Sequence, residues 1–102
     1  SKKTKIQLQQ KGNAMFRLMG TTYKNTHILK SIVVCDDSGS TRTKKVFGCL
    51  EQICHKFDLP SPIWLDANVS DFQRFAKVRF SQDNFIEIID FDYLELQVIE
   101  ED

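Results

Sequence analysis

Residues 16 to 23 alternate with a period of two. Phe16, Leu18, Gly20 and Thr22 share one parity, and Arg17, Met19, Thr21 and Tyr23 share the other. Successive side chains of a strand point to opposite faces, so period two among β-formers predicts a strand. The polar stretch Lys24-Asn25-Thr26 predicts a turn. Residues 28–35 are rich in β-branched side chains and are expected to return as the second strand of a hairpin. Apolar residues occupy both parities there, which predicts a central strand covered on its two faces.

The period changes after the loop Asp36-Asp37-Ser38-Gly39-Ser40. Val46, Phe47, Leu50, Ile53, Cys54 and Phe57 recur at helical spacing and form one apolar stripe. Ser40 or Thr41 supplies an N-cap oxygen. The helix should stop near Asp58, ahead of Pro60 and Pro62, because a residue preceding proline disfavours the α region. Gly48 weakens it by ~1 kcal/mol relative to alanine. A second helix is expected from about Asp66 to Ala76, with Asp66 as N-cap and Phe72, Phe75 and Ala76 buried. Lys77 to Phe80 alternates as a strand, residues 81–84 turn, and Phe85 to Ile89 is a short apolar element of open type. Tyr93 to Ile99 sets Leu94, Leu96 and Val98 against Tyr93, Glu95 and Gln97, a half-buried strand.

This order predicts an α+β fold: an antiparallel sheet of about four to five strands with one or two helices packed on one face. A chain of 102 residues predicts one domain, placed over 15–102. Two possibilities stay open for residues 1–14. Ile6 and Leu8 alternate weakly with glutamines, which suits a native N-terminal strand. Met15 is also a candidate start, which would make 1–14 a non-native leader.

Charge changes the picture more than composition does. Residues 1–45 carry ten of the fourteen Lys/Arg and two acids, a net +8, while residues 46–102 carry four cations and twelve acids, a net −8. Without Lys2, Lys3, Lys5 and Lys11 the split becomes +4 against −8. Opposed halves of this kind either neutralise each other in the fold or present complementary surfaces to a partner. The total is zero, which disfavours broad non-specific nucleic-acid binding. No apolar run reaches the ~20 residues that span a bilayer. Cys35, Cys49 and Cys54 have no disulfide-framework spacing and are expected as reduced, half-buried thiols, which points to the cytoplasm.

Candidate chemistry is sparse. Cys49 and Cys54 diverge round a helix and, with His27 and His55, match no zinc spacing. Adjacent helical residues also diverge, so Cys54 and His55 do not make a catalytic pair. Residues 90–101 imitate a calcium loop, but Glu95 stands where that loop needs glycine. Nothing calls for a metal or cofactor. Asp66 and Glu87 are carboxylates set in apolar sequence, the best case for a small enzyme with a cleft. Arg42, Lys44 and Lys45 open a helix, where cations and free backbone amides could hold an anion. With Arg74, Lys77 and Arg79 they form the nucleic-acid alternative, which requires all six to converge on one face. Trp64, Arg74, Arg79 and Asp92 complete the set of interface or ligand candidates; Trp64 could anchor an interface, although a place in the core suits it better.

The stretches Pro62-Ile63-Trp64-Leu65-Asp66, Val78-Arg79-Phe80, residues 83–87, residues 91–95 and residues 97–102 resemble those of a group of small uncharacterised bacterial proteins. The resemblance covers residues 15–102, with the chain of that group beginning near Met15-Phe16-Arg17. It implies a bacterial, cytoplasmic protein and brings no activity, ligand or catalytic residue. The expectation drawn from the whole sequence is a non-enzymatic binding or assembly module, most simply a homodimer, with another protein partner as the variant. Charge segregation and the eleven per cent of aromatic residues both favour self-association.

Overall fold

A computed structural model describes residues 15–101. The strand, leader and charges expected within residues 1–14 lie outside the described residues. The first alternating stretch forms β1 (Phe16–Lys24) and pairs antiparallel with β2 (His27–Asp36). Asn25 and Thr26 join them in a two-residue turn with φ of 52° and 65°. Positive φ at both positions matches the right-handed twist of the flanking strands. Asn25 adopts it readily, whereas β-branched Thr26 does so under strain. At the other end of β2, Asp36 Oδ1 accepts from the Ser38 N–H at 2.8 Å. Hydrogen bonds from the Ser38 side chain and backbone hold the Asp36 carboxyl below its ordinary range.

Helix α1 (Arg42–Phe57) begins as expected: Thr41 Oγ1 accepts from the Lys44 N–H at 3.3 Å. It ends on left-handed Asp58, where the Leu59 N–H reaches Cys54 O at 2.8 Å and the Asp58 N–H reaches His55 O at 3.2 Å. This pair of bonds satisfies carbonyls that the last turn would otherwise leave free. The buried row is Val46, Cys49, Leu50, Ile53, Cys54 and Phe57. Phe47 is not part of it; the stripe is narrower than its apolar residues suggested, and Cys49 takes the inward place. Helix α2 (Asp66–Phe75) corrects the sequence in two ways. Leu65, not Asp66, is the N-cap residue, and Asn68 Oδ1 accepts from its N–H at 2.9 Å. Only Phe72 is buried, while Phe75 is 60% exposed beneath the Arg74 guanidinium. A ten-residue helix resting against one short strand has room to bury a single row, and Ala76 leaves that row as its left-handed cap.

With two further strands, β3 (Lys77–Phe80) and β4 (Tyr93–Glu100), the described residues form a four-stranded antiparallel sheet of order β2-β1-β4-β3. Both helices cover one face, which carries Leu18, Gly20, Val78, Phe80, Leu94 and Leu96. Helix α1 approaches β1 so closely that a Cβ on Gly20 would stand 2.6 Å from Ile53 Cγ2. The α+β architecture with two helices on one face is as the sequence predicts, with four strands.

Among the described residues β2 is an edge, not the centre. Its pairing slips between Thr22 and Tyr23, so that Leu29 becomes an extra residue: Thr22 faces Lys30 and Tyr23 faces Ile28. A bulge of this kind moves apolar residues from one parity to the other without burying both sets. Cys35 follows the same correction and is exposed, whereas Cys49 and Cys54 are buried. Desolvation pushes the Cys49 and Cys54 thiols up to about 11 from an ordinary 9.0.

Candidate functional site

Four features stand outside the core: the uncovered face of the sheet, the β2 edge, the loop at 85–92, and a groove between the helices. The uncovered face carries Arg17, Met19, Thr21 and Tyr23 of β1, Val33 and Cys35 of β2, and Tyr93, Glu95 and Gln97 of β4. Tyr23 and Tyr93 are directly opposed and stack with ring centroids 5.0 Å apart. The Arg79 guanidinium lies 4.7 Å from the Tyr93 ring, and its Nε donates to Glu95 Oε1 at 3.0 Å. Donating to the Glu95 carboxylate holds the proton of Arg79 more firmly. These long side chains roof over Glu95, which is only 7% exposed on a face without helices.

Along β2 the chemistry differs. Ile28, Leu29 and Val33 are exposed over a ten-residue edge. Its one internal cation, Lys30, leans away, with Nζ 5.8 Å from the Phe57 ring on the helix-covered side. Among the described residues no strand pairs with the outer side of β2. The opposite edge, β3, is four residues long and carries Lys77 and Arg79.

The loop between β3 and β4 is irregular, where the sequence left its type open. A 3-10 turn, Gln82–Asn84, begins it. Gln82 then staples the rest: Nε2 donates to Glu87 O at 2.8 Å and Phe85 O at 3.4 Å, while Oε1 accepts from the Ile89 N–H at 3.0 Å. Phe85 and Phe91 pack edge-to-face in the core below. Above this staple Ile86 and Ile88 are 89% and 94% exposed. Asn84, which sequence reasoning missed, is buried and organises the neighbourhood. Its Nδ2 donates to Ile63 O and to Asn68 Oδ1, both at 2.7 Å, and Asn68 Nδ2 donates to Arg79 O at 3.3 Å. A polar residue in a turn carries no sequence mark of burial; the signal lies only in the fold.

The candidates from sequence are placed as follows. Asp66 is exposed at the start of α2, and Glu87 is exposed at the loop apex, where its backbone carbonyl meets Gln82. Neither lines a cavity described here, and neither pairs with Arg74 or Arg79. Asp92 lies in the loop before β4, not in the strand, and its Oδ2 accepts from the Asn25 N–H at 2.8 Å, tying loop to hairpin. Trp64 is half-buried, edge-on to Phe47, Phe72 and Phe80, with Nε1 buried and without an acceptor. It floors an open groove of about 160 Å3 between α1 and α2, bordered by Arg42, Val46, Phe47, Val69 and Phe72.

The six cations do not converge. Arg42, Lys44, Lys45 and Arg74 belong to the helical layer, while Lys77 and Arg79 stand on the other side of the sheet. Arg42 makes a bidentate pair with Glu101, Nε to Oε2 at 2.9 Å and Nη2 to Oε1 at 3.3 Å. Arg17 pairs with Glu100 at 2.9 Å. Two of the three ion pairs among the described residues thus join the basic front of the chain to its acidic end. Part of the charge split closes within one molecule because β1 and β4 are neighbours. Exposed pairs of this kind are worth about 0–1 kcal/mol each.

Among the described residues no three His, Cys, Asp or Glu side chains converge to hold a metal ion, and no helix is long and apolar enough to cross a membrane. No protein-family model, curated protein or solved structure matches this chain.

Proposed function

We propose that this chain is a non-enzymatic binding and assembly module that pairs with a second copy through strand β2. The observation that carries this is a ten-residue edge with exposed Ile28, Leu29 and Val33 and, among the described residues, no guard. Proteins ordinarily blunt such an edge with an outward lysine, a proline or a short strand. The β3 edge is short and cationic, while the lysine of β2 turns away. Antiparallel pairing of two β2 strands is isologous and closes as a twofold dimer. It would satisfy the outer backbone groups and bring two apolar strips together. A bacterial, cytoplasmic setting accompanies this proposal, supported by three unpaired thiols and the resemblance over residues 15–102.

The test is sedimentation of the full chain at low and at ~1 M salt, since pairing through backbone and apolar groups resists screening. A dimer is expected under both conditions. Val33→Lys, which places a charge on the edge at an exposed position, is expected to give a folded monomer. A wild-type chain that sediments as a monomer throughout overturns the proposal, as does pairing of one strand in 1–14 with the same edge of its own molecule.

A further inference from the structure

Two isoleucines held almost wholly in water by a stapled loop are costly to display, since each fully buried side chain of this size is worth about 1.5–3 kcal/mol. We infer that the loop at 86–88 docks into the α1–α2 groove of a second copy, as a head-to-tail contact separate from the β2 edge. This contact concerns the partner and geometry of assembly; it does not need the β2 dimer to exist.

Three observations carry it. The first is shape. The groove holds about 160 Å3. A cavity of ~150 Å3 lined by apolar side chains accepts a benzene-sized guest, and the four-carbon side chain of isoleucine is smaller. The groove walls are themselves wet: Phe47 is 51% and Val69 40% exposed. The second is charge. The isoleucines flank Glu87 and lie between Asp83 and Asp90, and no cation occurs from Asp83 to the end of the chain. The groove opens beside Arg42, whose guanidinium lies 5.2 Å from the Phe72 ring, and Lys44 shares that first turn of α1. Arg42 pairs with Glu101 yet keeps 43% of its side chain exposed, so an acidic apolar loop meets an apolar groove whose one charged lining side chain is a partly shared cation. The same acids set the loop against an anionic lipid surface, which attracts basic segments.

The third is placement. The Asp92 N–H donates to Tyr23 O at 2.8 Å, which puts the loop at the hairpin end of the sheet. The Arg42–Glu101 pair and the bond from the Val98 N–H to Ala76 O put the groove toward the opposite end. Loop and groove thus stand toward opposite ends of the sheet. A contact between unlike surfaces is heterologous and repeats, giving rings or open chains rather than a closed pair. The area is well below the ~1,600 Å2 of a standard interface, so the association is weak and shows at high concentration.

The experiment is sedimentation in the Val33→Lys background, from tens to several hundred micromolar, so that the β2 dimer and this contact are read separately. The weight-average mass is expected to rise with concentration. The double variant Ile86→Asp/Ile88→Asp, which removes the loop, and Val69→Glu, which opposes Glu87 in the groove, are each expected to stay monomeric. All three positions are exposed, and circular dichroism checks the fold. Mixing the two variants one to one leaves one intact loop facing one intact groove, and the mass is expected to return to about twice the monomer and no further. A background chain that never associates, growth unaltered by either variant, or a mixture that stays monomeric overturns the inference. Loss of the β2 dimer alone does not.

Discussion

The two faces of the sheet are built from the same four strands yet held by different forces. On the helix-covered face, volume decides. Leu18, Phe80, Leu94 and Leu96 are fully buried, and α1 lies so close that Gly20 has no room for a Cβ. On the uncovered face, pairs decide: Tyr23 on Tyr93, Arg79 on Glu95, Arg17 on Glu100. The first face resists any change of size, as close-packed interiors do. The second should tolerate substitution, because each pair is small in energy and partly wet.

That contrast can be broken most directly at Leu96, the centre of the covered face. Leu96→Ala is expected to destabilise the chain by about 3–5 kcal/mol, through lost transfer energy and a residual cavity. Urea unfolding at equilibrium measures it. Next comes Gly20→Ala, expected to cost about 1–3 kcal/mol, since Ile53 must move or leave its rotamer. A neutral result there would mean that α1 sits farther from β1 than 2.6 Å allows.

The third test separates the faces by pH. The thiols of Cys49 and Cys54 stay protonated up to about 11 when folded, against 9.0 ordinarily. The unfolded chain therefore gives up these protons first. Their contribution is fully present below about 9.0 and is lost as pH rises through about 11. The urea midpoint should fall across that window, and less steeply in Cys54→Ala than in the native chain. In the same spirit, a thiol reagent at neutral pH should label Cys35 quickly in the folded chain and the other two only in denaturant. The smallest effect is expected on the uncovered face: Glu100→Gln, which weakens the exposed pair with Arg17, should cost about 1 kcal/mol or less. A loss comparable with Leu96→Ala would show that this face is also covered in solution, and would sharpen the case for a partner there.

The elements on the covered face were legible in the sequence because one face and one period coincide there. β1 and β4 alternate cleanly, and α1 announces itself through the Thr41 cap and the i, i+3, i+4 recurrence that ends at Asp58. Where burial and period part company, the sequence misled. Leu29 is an extra residue in its ladder, so the apolar run of β2 imitated a strand with two covered faces while forming an edge. Phe47 and Phe75 sit at helical spacing but on the flank of each stripe. Ile86 and Ile88 alternate with Glu87 as a strand would, yet Gln82 holds them in a loop. Asn84 and Asn68 were silent, because what makes them important is each other, at a separation of sixteen residues. The candidate surfaces were therefore the least readable part: they consist of apolar residues that the pattern assigned to a core.

The position of β4 has a consequence for how the protein is made. It lies between β1 and β3, so the middle of the sheet is the last of these strands to leave the ribosome. Until residue 100 is translated, α1 can close on the hairpin through Ile53 and Gly20, but β1 lacks its second partner strand and β3 has no ladder at all. During that interval the apolar residues that will line the middle of the sheet stand open to water, the condition that exposes a folding chain to aggregation.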